Sequence, residues 1–168
     1  RRIINSLEIL LSTHPHPILI LKYLNLWPNE SSLEQFKRLK EVLINSANSI
    51  QGCLMLAELA LKAELWAEAR TKLGELSPDK LTAHGCRLMA QLEQRECNDE
   101  VESRRWLEKS VTAPVDLSWT CDSCGATGDE WSALCGNCNA FDHLVWKAPP
   151  KVSALVPRIV LGQEIEEA

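Results

Sequence analysis

Four cysteines are spaced as Cys121-x2-Cys124 and Cys135-x2-Cys138, with ten residues between the two pairs. Two thiolates separated by two residues grip one cation because a tight turn points both sulfurs inward, and a second such turn completes a tetrahedron. A four-sulfur set suits Zn²⁺, with iron the alternative, by softness and geometry. Gly125 directly follows Cys124, which frees the turn sterically and leaves backbone N–H groups able to point at sulfur. Thiolates at all four positions leave no coordination site for water or substrate, so the expected role is to hold structure. A thioredoxin-like dithiol would sit on a βαβ background, and the surrounding pattern has none.

Other residue types that do chemistry are sparse. His143 lies five residues after Cys138, and His14 and His16 alternate with Pro15 and Pro17. We read the first as a surface or packed histidine and the other two as part of a turn before a helix. Cys53, Cys86 and Cys97 are scattered through helical pattern; seven cysteines are an odd number, which suits a reducing compartment better than a disulfide framework. The sequence has no nucleophile elbow and no Gly-rich phosphate loop, so no enzymatic role and no small-molecule substrate are expected.

Charge bears on the partner. Residues 1–118 carry 15 Lys/Arg against 16 Asp/Glu, whereas residues 119–168 carry 3 against 7. Four thiolates around a divalent cation add about −2 to the second segment. A nucleic-acid surface shows clustered positive charge, so a zinc-ribbon nucleic-acid binder is disfavoured. No run of 18 apolar residues exists, as a transmembrane helix requires. The chain opens with Arg1-Arg2 rather than Met, as expected of a fragment or a processed form.

The elements that must present the cysteine module are helical and repeat. Tyr23, Leu56 and Met89 are evenly spaced, and Leu24, Ala57 and Ala90 share their interval. Cys53 and Cys86, Leu33 and Trp66, Phe36 and Ala69, and Leu43 and Leu76 keep that offset. Leu73 and Leu107 exceed it slightly, as if one residue were inserted near Asn98-Asp99. Breaks within units are expected at Trp27-Pro28-Asn29, near Glu64-Leu65 and at Asn98-Asp99. Turns between units are expected near Asn45–Ser49, at Ser77-Pro78-Asp79 and at Pro114. Ser31 followed by Glu34 predicts a helix start.

The run Leu56-Ala57-x-x-Ala60, Trp66-Ala67-Glu68-Ala69, Leu73 and Pro78 resembles a tetratricopeptide repeat, the helix-turn-helix unit whose period is about 34 residues. The expected fold is mainly α: a tetratricopeptide superhelix over 1–116, with units at about 17–46, 50–78 and 82–114. A rubredoxin-like or zinc-ribbon knuckle with short β-hairpins follows over 117–148, then a tail over 149–168. Three units is near the minimum that stacks stably, so further repeats before Arg1 are expected. In this register Gln51, Glu58 and Lys62, then His84, Arg87, Gln91, Gln94 and Arg95, line a groove for a protein partner. Lys62, Arg87 and Arg95 favour an acidic partner or one presenting a C-terminal carboxylate; a plain solvated face is the alternative.

The whole combination is similar to the C-terminal part of HemY-family proteins: the array, Trp119-x-Cys121-x2-Cys124-Gly125, Trp131, Cys135-x2-Cys138, Phe141-Asp142-x-Leu144-x-Trp146 and Pro149. It also resembles, more distantly, the LapB lipopolysaccharide-assembly regulator. The HemY resemblance implies a role in haem biosynthesis, a haem-pathway enzyme or inner-membrane component as partner, and an inner-membrane anchor before Arg1 with the soluble part in the cytoplasm. The non-catalytic scaffold so implied has two alternatives: a membrane-associated regulator or adaptor, as the LapB resemblance implies, and an electron-transfer protein with iron at the four cysteines.

Overall fold

The computed structural model describes residues 2–46 and 49–150. Among these the protein is mainly helical and ends in a small three-stranded sheet. Seven α-helices succeed one another: α1 (Arg2–Thr13), α2 (Pro17–Leu24), α3 (Ser32–Val42), α4 (Ile50–Lys62), α5 (Trp66–Gly74), α6 (Ala83–Leu92) and α7 (Glu100–Thr112). A π-helical turn, Glu93–Cys97, extends α6. The strands are β1 (Ser118–Cys121), β2 (Thr127–Gly128) and β3 (Leu144–Lys147). Two compact units result, the first ending at Asp116 and the second beginning at Leu117. The tail expected over 149–168 lies outside the described residues beyond Pro150, and the turn near Asn45–Ser49 is described only in part.

Helix boundaries follow from capping chemistry. Ser31 and Glu34 form a reciprocal capping box at α3, satisfying donors that the first turn leaves open. The Ser49 hydroxyl accepts from Gly52 N–H and the Thr82 hydroxyl from Gly85 N–H, while His16 Nδ1 accepts from Ile18 N–H. Those three caps, His16, Ser49 and Thr82, keep the interval of the repeat. The histidine between prolines is therefore a helix cap. Two of the three expected breaks use the left-handed backbone: Glu64 has φ 56° and Asn98 φ 53°. The inserted residue expected near Asn98-Asp99 coincides with the π turn, where Glu93 C=O accepts from both Asn98 and Asp99 N–H.

Burial tracks the repeat register in the helices. Ala57, Ala60 and Ala69 are wholly buried; their small side chains let α4, α5 and their neighbours approach closely. Cys53 and Cys86 are both buried, as are Phe36, Leu43, Leu73 and Leu76, and Trp66 packs against this core from its edge. Leu33 and Leu107, also picked out by the periodicity, are exposed. Helix α1 precedes the helical pattern expected from residue 17 onward. Its Leu11 is buried, and Tyr23 Oη donates to Glu8 Oε1 at 2.8 Å. Tyr23 also meets Trp27 edge-on at 5.1 Å, and the Arg38 guanidinium lies 3.9 Å over the Trp27 ring while pairing with Glu30.

At the end of the helical unit, Ala83 N–H donates to Pro114 C=O, and Asp116 Oδ2 accepts from His84 N–H at 2.9 Å and from Arg87 Nη2 at 3.1 Å. The segment after the turn expected at Pro114 is thus fastened to the first turn of α6, where a carboxylate meets open N–H groups and the positive end of the helix dipole. In the second unit the strand order is β2-β1-β3, antiparallel throughout. Trp119 pairs with Trp146 across β1 and β3, their rings 5.5 Å apart at 65°.

Candidate metal centre

Two tight turns carry the four cysteines, and they are built alike. In the first, Cys121 N–H donates to Ala126 C=O at 2.8 Å and Gly125 N–H donates to Cys121 C=O at 2.9 Å. In the second, Cys135 N–H donates to Ala140 C=O at 3.0 Å and Asn139 N–H to Cys135 C=O at 2.9 Å. Gly125 (φ 74°) and Asn139 (φ 58°) hold the left-handed position after the second cysteine of each turn; glycine does so freely, and asparagine is the side chain that tolerates it best. The sequence reading saw the role of Gly125 and missed that of Asn139. The signal was there: Cys121-x2-Cys124-Gly125-Ala126 is echoed by Cys135-x2-Cys138-Asn139-Ala140.

The turns converge so that the four sulfurs lie within 4.8 Å of one another. Across the turns, Cys121 Sγ is 3.8 Å from Cys138 Sγ and Cys124 Sγ is 3.7 Å from Cys135 Sγ. These are far longer than a disulfide bond. They match the edge of a tetrahedron with metal–sulfur distances of about 2.3 Å, which is about 3.8 Å. Cys121 and Cys135 are 1% and 2% exposed, whereas Cys124 and Cys138 face solvent.

Hydrogen bonds tune the thiols. Cys124 is held down to about 6, first by the Asn137 side-chain amide and then by the Ala126 N–H. The Cys138 and Asn137 N–H groups lower Cys135. Cys138 goes the other way, up to about 11: the Ala140 N–H pulls it down, but the thiols of Cys124, Cys135 and Cys121 outweigh that. Four thiols this close cannot all ionise without a cation to share, and a bound divalent ion inverts that balance. The donor set therefore fits a soft tetrahedral ion, and the same sulfur spacing serves zinc or iron.

His143 is exposed and not among the clustered ligands; its carbonyl accepts Asp122 N–H. Of the expected groove residues, Glu58 on α4 receives Lys62 Nζ at 2.8 Å and lies 3.6 Å from His84 Nε2 on α6. Those contacts, the His84 bond first, hold the Glu58 carboxyl down to about 2. Arg87 faces the chain's own Asp116, a contact sequence reasoning missed. An acidic partner would thus have to compete with Glu58 and Asp116 for two of the three expected cations. Gln51 is half-buried at the start of α4, Gln91 is exposed on α6, and Gln94 and Arg95 are exposed in the π turn. No helix among the described residues is long and apolar enough to cross a membrane.

The arrangement defines a mainly helical protein with a four-thiol cluster in a small β module. No protein-family model matches the chain, and no solved structure does. A curated relative, the probable magnetosome protein Mms48 of Magnetospirillum gryphiswaldense, is 28% identical over 166 residues, covering 94% of this chain and 36% of its own length. The chain thus spans about a third of that relative.

This corrects the HemY assignment and the haem-pathway role that came with it: the similarity found is to a probable magnetosome protein, and nothing points to HemY. The physical reason lies in what carried the resemblance. Alanines at close helix contacts and paired cysteines around a tight turn are solutions that packing and metal chemistry reach repeatedly, so their co-occurrence does not identify one family.

Proposed function

We propose that this chain is a non-catalytic scaffold: a tetratricopeptide-like array that engages a protein partner, ending in a rubredoxin-like knuckle folded around one structural zinc ion. The observation that carries the reading is a closed set of four converging sulfurs directly following a regular helix array. Helices α2, α4 and α6 begin in even steps at Pro17, Ile50 and Ala83, and α3, α5 and α7 do so at Ser32, Trp66 and Glu100. Such spacing is the signature of stacked helix pairs whose neighbours complete one another's core. Sulfur at every tetrahedral position supports structure rather than water activation. The polar face formed by Glu58, Lys62, His84, Arg87, Gln91 and Arg95 is the surface we assign to the partner.

Two measurements test this. Protein purified without added metal should carry about one zinc per chain and no visible absorption; a coloured iron form would move the reading to electron transfer. The double variant Gln91→Ala/Arg95→Glu leaves the Glu58 and Asp116 ion pairs standing and should lose a partner that wild type retains, with unchanged helix content. Retention of the same partner by the variant would return that face to ordinary solvation. The similarity to a probable magnetosome protein favours a second reading of the setting, in which the scaffold works at a magnetosome; fractionation of a tagged chain away from that compartment would refute it.

A further inference from the structure

We infer that Asn137 is a positioning residue for the metal, a side-chain clasp that ties the second cysteine turn to the first and controls how fast the ion leaves. The inference rests on the four-thiolate reading and goes beyond it by assigning control of release to a non-ligand. Asn137 Nδ2 lies 3.5 Å from Cys124 Sγ, a normal length for an amide donating to sulfur. Donor and acceptor belong to different turns, because Asn137 sits between Cys135 and Cys138 while Cys124 closes the first turn. The backbone hydrogen bonds described above each act within one turn; this one spans the two.

The bond falls where the site is weakest. Cys121 and Cys135 are buried, so their sulfurs are shielded from chelators and acid, but Cys124 and Cys138 face solvent. Release has to begin with an exposed thiolate swinging off the ion. A donor fixed on Cys124 stabilises its charge and holds its rotamer, and outer partners of this kind change metal affinity by about 10–100-fold. The two turns are not equivalent here: Ser123, at the position in the first turn matching Asn137, makes no such bond to Cys138 among the described residues. Asn139, two residues on, serves through its backbone conformation, which separates the effects of two neighbouring asparagines.

The test uses the full chain loaded with zinc for kinetics and with Co²⁺ for spectra. Transfer of zinc to a chromogenic chelator should be about tenfold faster in Asn137→Ala, and faster still in Asn137→Asp, which keeps the shape but sets an anion beside a dianionic centre. Loss of the amide raises the sulfur lone pairs, so the cobalt–thiolate charge-transfer band should move to longer wavelength in both variants. Asn139→Gly, which preserves the left-handed turn, should match wild type in rate and band. Wild-type release and an unshifted band in either Asn137 variant overturn the inference. Failure of the wild-type chain to bind zinc or cobalt instead overturns the metal reading beneath it, so the two failures are distinguishable.

Discussion

Removing the metal should unfold the second unit and leave the first intact. The described part of that unit, Leu117 to Pro150, is shorter than the roughly 40 residues below which a chain seldom sustains its own core. Its buried side chains are Thr120, Cys121 and Cys135, so two of the three are themselves thiols of the cluster. A structural zinc contributes about 10–16 kcal/mol to folding in small modules of this type. A core this small offers no more than about 3–5 kcal/mol of its own, so the ion supplies most of what folds the module, and a variant that cannot close the site around it loses that share. Cys135→Ser, or excess chelator on wild type, should therefore collapse the module. The assay reads two signals separately. The change in near-ultraviolet dichroism follows the packing of Trp119 on Trp146, above a constant background from first-unit rings such as Tyr23 and Trp27, while the far-ultraviolet helix signal comes from α1–α7, all in the first unit. The first should fall sharply and the second hardly move. A metal-free chain keeping its full near-ultraviolet signal would refute the reasoning.

Further outcomes are expected. Ala69→Trp forces a large ring into a fully buried contact and should cost about 1–3 kcal/mol or more in chemical denaturation; a neutral result would contradict the helix packing. Glu58 has a folded pKa of about 2 against an ordinary 4.5, so its contribution is present in full above pH 4.5 and is lost as pH falls toward 2. With solvent screening this amounts to about 1 kcal/mol, and Glu58→Gln should flatten the acid limb of helix stability by that much. In the zinc-loaded native chain a thiol reagent should modify Cys97 first, since Cys53 and Cys86 are buried and burial drives Cys53 up to about 11; mass mapping of early adducts checks this.

The periodicity made the helical unit legible because burial recurs with it: Cys53 and Cys86, Phe36 and Ala69, Leu43 and Leu76 are all core positions. It overreached at Leu33 and Leu107, whose offsets fit but whose side chains meet solvent, since spacing reports a helix face and not the depth of its cover. Helix α1 is not legible from the repeat although Ile4, Leu7 and Leu11 follow helical spacing, because the first unit of the repeat begins only at about residue 17. The cysteine cluster was legible, for local turn chemistry fixes each pair and four sulfurs suited to one cation are expected to meet. The Asn137 clasp and the Arg87–Asp116 pair were not, because each depends on where two separate segments come to rest.

The likeness of the two cysteine turns has a consequence for how the module assembles. Each turn is closed by its own backbone hydrogen bonds, so each can close around an ion as a local two-sulfur unit that needs no contact with the other. The ten residues between Cys124 and Cys135 then act as a tether, presenting the second dithiolate at an effective concentration on the order of millimolar. Capture by the first turn is a bimolecular step, and closure by the second is intramolecular. A half-loaded ion would be partitioned between those fates by the tether, and lengthening it with flexible residues would slow closure while leaving both turns chemically unchanged.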